Sequence, residues 1–177
     1  MKKSLLKFLF AMVLLIGILA ACSGETSSDG DSADGEESSS EESSSGDGGE
    51  LHIGANLELS GAVATYGSSI SEGIDLAVEE INESGGINGM QVKVTKVDNK
   101  SDAAEATNGA IKLTSQDQVT AIIGAATSGN TLAQAEIAND TETILLSPSA
   151  TAPNVTVNED GSLNEYVFRT SYIDPFQ

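Results

Sequence analysis

The chain of 177 residues holds one cysteine, one histidine and no tryptophan, and its bases are outnumbered by acids 8 to 27. Each shortage removes a class of function. A single cysteine, Cys22, forbids any disulfide within the chain. His52 has no second imidazole or nearby thiol with which to complete a metal site. It sits inside the apolar stretch LHIGANLEL, where a packed or edge histidine is the ordinary occupant. No G-x-S-x-G elbow surrounds a serine, so Ser128 lacks a nucleophile's setting. The formal charge of −19 repels phosphate backbones and excludes nucleic acid as a partner. The apolar run Phe8–Ala21 has 14 residues, short of the roughly 20 that span a bilayer as a helix.

What is present divides into an address, a tether and a folding segment. The first 21 residues run from a basic start (Lys2, Lys3, Lys7) through the apolar run to small residues before Cys22, the layout of an export signal. Leu19-Ala20-Ala21-Cys22 resembles the lipobox of bacterial lipoproteins. That resemblance implies cleavage before Cys22 and a diacylglycerol thioether on its sulfur, which accounts for the odd cysteine. Residues 22–50 then form an acidic Ser/Gly-rich stretch with no apolar side chain larger than alanine beyond the cysteine. Such a composition cannot bury enough surface to offset chain entropy and is expected to act as a disordered tether.

From residue 51 to 177 the pattern becomes that of a folded domain. LHIGANLEL, MQVKVTKVD, VTAIIG, TILLS and YVFRT read as strands. Between them Ile70, Ile74, Ala77, Val78 and Ile81 fall on one helical face, closed by Gly85-Gly86, and Ser69 with Glu72 has capping-box spacing. Asp102 with Glu105 marks a second helix start, with Ala106, Ala110 and Leu113 facing inward, and a third helix is expected over about 130–139. Short apolar strands alternating with helices predict an α/β domain with a parallel sheet and helices on both faces. Ligands of such sheets sit beyond the carboxyl ends of the strands. Three loops qualify: SGAVATYG, GAATSGNT and SPSATAP.

GAATSGNT, Gly124 to Thr131, has the spacing of a phosphate-binding loop but carries Asn130 in place of the lysine that reaches the phosphates. A nucleotide is therefore not expected. Small residues and the free N–H groups of a helix start still suit a single carboxylate, with Ser128 and Thr131 as further donors. A plain loop in which one of these hydroxyls caps the helix fits the same residues. Gly85–Gly89 follows a helix, not a strand, and reads as a turn. Asp98–Asp102 lacks a calcium loop's third ligand and glycine, being interrupted by Lys100 and Ala103, and reads as a turn with a helix cap.

Five stretches in order resemble the leucine/isoleucine/valine-binding family, the type I substrate-binding proteins of amino-acid ABC transporters. They are IGANLELSGAVATYG, GIDLAVEEINESGGINGMQVKV, AIIGAATSGNT, ILLSPSATAP and YVFRTSYIDPFQ. The resemblance implies a two-lobed fold that closes around an amino acid, of which residues 51–177 make up an incomplete amino-terminal lobe. By it, Ser128 and Thr151 bind the ligand carboxylate, the Ser149 carbonyl and Thr151 bind the ammonium, and Tyr66 packs beside the ligand side chain. It also implies no cofactor, no metal and no catalysis, a lipid-anchored place on the outer face of the cell membrane, and ABC permease subunits as partners. A sensory ligand-binding domain on the same fold is the alternative. Serine at 149, where alanine is familiar in leucine binders, puts the side-chain selectivity in question but not a contact made by its carbonyl.

Overall fold

The computed structural model describes residues 49–176; the export signal, Cys22 and the tether lie outside them. Within them β1 (Glu50–Leu57), α1 (Ala64–Glu83), β2 (Gln91–Asp98), α2 (Ala103–Ile111), β3 (Ala121–Gly124), α3 (Ser128–Asp140), β4 (Ile144–Ser147) and β5 (Val167–Arg169) follow in chain order. The strands form one parallel sheet in the order β2-β1-β3-β4-β5. That is the α/β sheet expected from the alternation of short apolar strands and helices. β1 lies inside the sheet, as its near-continuous apolar sequence requires, and the order reverses at β1, where the loops after β1 and β3 face one another.

Parallel register places partner side chains on the same face of the sheet. Ile122 pairs with Leu145 and Leu145 with Val167, and this face carries the closed core under α2 and α3. Ala106, Ala110 and Leu113 are fully buried there, as the helical periodicity of this segment indicates. Leu57, Leu113, Ile122, Leu145 and Val155 are the largest apolar side chains fully removed from water among the described residues, each contributing about 1.5–3 kcal/mol.

The opposite face is covered only in part. Ile70, Ile74, Ala77, Val78 and Ile81 of α1 lean on Leu51, Ile53, Val92 and Val94, around a groove of about 430 Å³. Further along, Ala121 pairs with Ile144 and Leu146 with Phe168, and Ile144 and Phe168 remain 46% and 49% exposed.

Helix starts are set in two ways. Asp102 caps α2 locally, its Oδ1 accepting from the Glu105 amide at 3.0 Å. The expected capping box of Ser69 and Glu72 does not form, because α1 begins at Ala64 and both residues lie inside it. The start of α1 is fixed from outside. Ser101 Oγ accepts from the Val63 amide at 3.3 Å and donates to the Ser60 carbonyl at 2.8 Å. Asp98, at the end of β2, accepts from the amides of Leu59 and Ser60 and from the Ser60 hydroxyl. Burial works against the Asp98 charge, but the Ser60 hydroxyl and three amides outweigh it and hold its carboxyl below the usual range.

Candidate functional site

The loops after β3 and β4 run side by side beyond the strand ends. Three bonds tie them: Ser147 Oγ donates to the Ala125 carbonyl at 2.8 Å, Ser149 Oγ donates to the Ala126 carbonyl at 2.7 Å, and Ser128 Oγ accepts from the Ala152 amide at 3.1 Å. These bonds bring Ser128, Ser149 and Thr151 onto one rim, as the rule for carboxyl ends of parallel strands anticipates. Tyr66 stands in the first turn of α1 and is 66% exposed. The next residue, Gly67, is packed so closely on the Glu58 backbone that an added Cβ would run into the Glu58 carbonyl.

What the fold leaves unused on this rim matters as much as what it ties. The Ser128 oxygen is spent as an acceptor, but its proton is not donated to any described residue. The Ser149 hydroxyl is spent, while its carbonyl accepts nothing among the described residues. Thr151 makes a bond only through its own carbonyl, which accepts from the Asp174 amide at 3.0 Å; its N–H and hydroxyl are free among the described residues. The hydroxyls of Ser128 and Thr151, the Thr151 amide and the Ser149 carbonyl are therefore left without a partner among the described residues.

The loop Gly124–Thr131 does hold an anion, and the anion is the chain's own. Glu58, just beyond β1, is fully buried. Its Oε2 accepts from the Ala126 amide at 2.9 Å, and its Oε1 accepts from the Thr127 amide at 3.1 Å, the Thr127 hydroxyl at 2.7 Å and Asn130 Nδ2 at 2.9 Å. No other charged side chain is buried among the described residues. Burial raises its pKa, but the Ala126 amide, the Thr127 hydroxyl, Asn130 and the Thr127 amide together hold it below the usual glutamate range. Asn130, in the place of the phosphate loop's lysine, thus serves this carboxylate.

Neither Ser128 nor Thr131 caps α3. The helix starts at Ser128, earlier than the sequence suggests, with Thr127 at its N-cap position, and Glu58 takes the amides of Ala126 and Thr127 just before it, 68 and 69 residues away in the chain. Thr131 is fully buried, accepting from the Ala125 amide at 3.2 Å and donating to the Thr127 carbonyl at 2.8 Å, so it is a structural residue. Sequence reasoning overlooks Glu58. The available signal is an acid at the end of a strand that is otherwise apolar, IGANLEL. His52 lies within β1, half-buried, with Nε2 2.7 Å from Thr95 Oγ1, and takes no part in the rim.

The model of a family described as periplasmic binding protein matches residues 50–176. The Leu/Ile/Val-binding protein homolog 1 of Brucella abortus is 34% identical over 121 residues, 68% of this chain and 31% of that protein. The leucine-, isoleucine-, valine-, threonine-, and alanine-binding protein of Pseudomonas aeruginosa is 33% identical over 119 residues, 67% of this chain and 31% of that one. Among solved structures, the branched-chain amino acid transporter substrate binding protein LivJ of Streptococcus pneumoniae, in complex with isoleucine, is 41% identical. Its TM-score is 0.66, over 71% of this chain and 34% of that one. The leucine binding protein LivK of Thermotoga maritima is 32% identical with a TM-score of 0.64, over 72% and 34%. The chain spans about a third of the length of these relatives.

Proposed function

Since the chain belongs to the periplasmic binding protein family, we propose that it captures a free amino acid outside the cytoplasm for uptake by an ABC transporter, and that the ligand is branched-chain or otherwise small and apolar. The observation that carries this reading is the set of unspent groups on the rim. The Ser128 hydroxyl, the Thr151 amide and the Thr151 hydroxyl suit a carboxylate, and the Ser149 carbonyl suits an ammonium. Together they match a zwitterion. Neutral donors suffice because the ligand's own ammonium balances its carboxylate, and a charge-assisted bond of this kind contributes about 1.5–3 kcal/mol.

Relatives named for leucine, isoleucine and valine, and a neighbour holding isoleucine, support the choice of ligand class. On this reading Tyr66, exposed at the start of α1, packs beside the ligand side chain. The protein does no chemistry and needs no cofactor; it hands its ligand to permease subunits, held at the outer face of the membrane by lipid on Cys22.

The test is a titration of the isotopically labelled chain with leucine, leucinamide and N-acetylleucine, followed by amide NMR. Leucine shifts the signals of Ser128, Ser149 and Thr151, leucinamide loses the shifts at Ser128 and Thr151, and N-acetylleucine loses those at Ser149. Shifts confined to the groove between α1 and the sheet would overturn the assignment.

A further inference from the structure

Glu58 raises a question that its bonds to the loop after β3 do not by themselves answer. Burying a carboxylate with no cation beside it is costly, and a neutral side chain of the same shape would avoid that cost. The bond pattern shows why glutamine does not serve. Three donors converge on Oε1 and a fourth, the Ala126 amide, points at Oε2. A glutamine would have to turn its own NH₂ toward one set of these donors and leave it unpaired. The pocket is built for two acceptor oxygens.

Two of the donor residues are one step from the rim. Thr127 immediately precedes Ser128. The Ala126 carbonyl receives the Ser149 hydroxyl. The Glu58 backbone supports Gly67, the neighbour of Tyr66. The carboxylate is thus joined, through one intermediate each, to Ser128 and Ser149, while the backbone of the same residue supports the neighbour of Tyr66. These bonds link chain segments 68 to 72 residues apart.

We propose that Glu58 is a positioning residue for the amino-acid site: without touching the ligand, its buried carboxylate sets the loop after β3 against those after β1 and β4. The proposal rests on the function given above for the rim. It assigns to Glu58 the geometry of the Ser128–Ala152 tie, which lies beyond any atom the carboxylate contacts.

Amide hydrogen exchange on the full chain, wild type against Glu58→Gln, tests it, with Thr127→Val as a milder variant that removes one hydroxyl donor and leaves the backbone donors in place. In E58Q the amides of Ala126 and Thr127, and also that of Ala152, exchange about tenfold faster or more, while Ile122 and Leu145 in the core strands keep wild-type protection. In T127V the Ala152 amide moves the same way by a smaller factor. Leucine-induced shifts at Ser128 and Thr151 shrink in parallel. Ala152 protection equal to wild type in both variants would overturn the proposal, since the carboxylate would then act only on its immediate neighbours. Loss of the whole sheet in E58Q with an unmoved Ala152 in T127V would do the same. If leucine gives no shift at Ser128 or Thr151 in the wild type, the binding reading fails, and the exchange at Ala152 still decides whether Glu58 positions the rim.

Discussion

Thr151→Val separates binding from folding at this rim. The replacement keeps the branched shape and removes only the hydroxyl, which bonds to no described residue. Nothing in the fold depends on that hydroxyl, so the melting temperature should stay within about 2 °C of wild type, the scale of a few tenths of a kcal/mol in a domain of this size. Binding should respond strongly. Loss of one hydrogen bond to a charged group removes about 1.5–3 kcal/mol, which is roughly a 10- to 150-fold rise in the dissociation constant at 1.4 kcal/mol per decade. Ser128→Ala makes the contrast: its oxygen also holds the Ala152 amide, so it should lose about 1 kcal/mol of stability as well as affinity. Leucine titration by calorimetry or NMR, beside a thermal melt without ligand, reads both quantities. A dissociation constant for T151V within twofold of wild type would refute the assignment. A melt lowered by many degrees would show instead that the hydroxyl holds the fold.

Three further outcomes follow from the same contacts. Gly67→Ala drives a Cβ into the Glu58 carbonyl and should cost about 1–3 kcal/mol in a urea titration, with Gly73→Ala, in open space on the same helix, as the harmless control. Asp102→Ala removes the local cap of α2 and should cost about 1 kcal/mol by the same measurement. Because the folded-state pKa of Glu58 lies below its unfolded value of about 4.3, its stabilising contribution is complete above that pH and is lost as pH falls through the folded value. The urea midpoint should therefore drop on acidification below about pH 4.3, and less steeply in E58Q.

The contrast between Asp102 and Glu58 explains how much of this molecule was legible in the sequence. Asp102 caps an amide three residues away, so local spacing reveals it. The five strands and the inner faces of α1 and α2 are legible for the same reason, since periodicities of 2 and 3.6 are local properties. Ser69 and Glu72 carry the same local signature and still do not cap a helix, because Gly61–Ala64 is held by Ser101 and by the Lys100 backbone, some 40 residues on. Glu58 meets its donors 68 to 72 residues away, and no pattern in a single sequence ties an acid after one strand to amides after another. The phosphate-loop spacing at 124–131 leaves a carboxylate site and a plain capped loop equally open, and nothing local in the sequence says that the amides there take an internal carboxylate.

The groove between α1 and the sheet has a volume of about 430 Å³ and an apolar lining, and a large apolar pocket is the ordinary first choice for a ligand. Chemistry decides against it. Leu51, Ile53, Ile74, Val78, Val94 and the other lining side chains are all hydrocarbon, so a zwitterion placed there would lose its water and gain no partner. The groove instead continues the half-covered face on which Ile144 and Phe168 stand exposed, and a parallel sheet is stable when both faces are covered. Its lining is apolar throughout. The rim has the opposite character: its polar groups are mostly paired by the fold, and the few left over differ in kind, donors on Ser128 and Thr151 and an acceptor on Ser149. Unspent donors beside an unspent acceptor, held in place by a buried carboxylate, call for a small dipolar ligand.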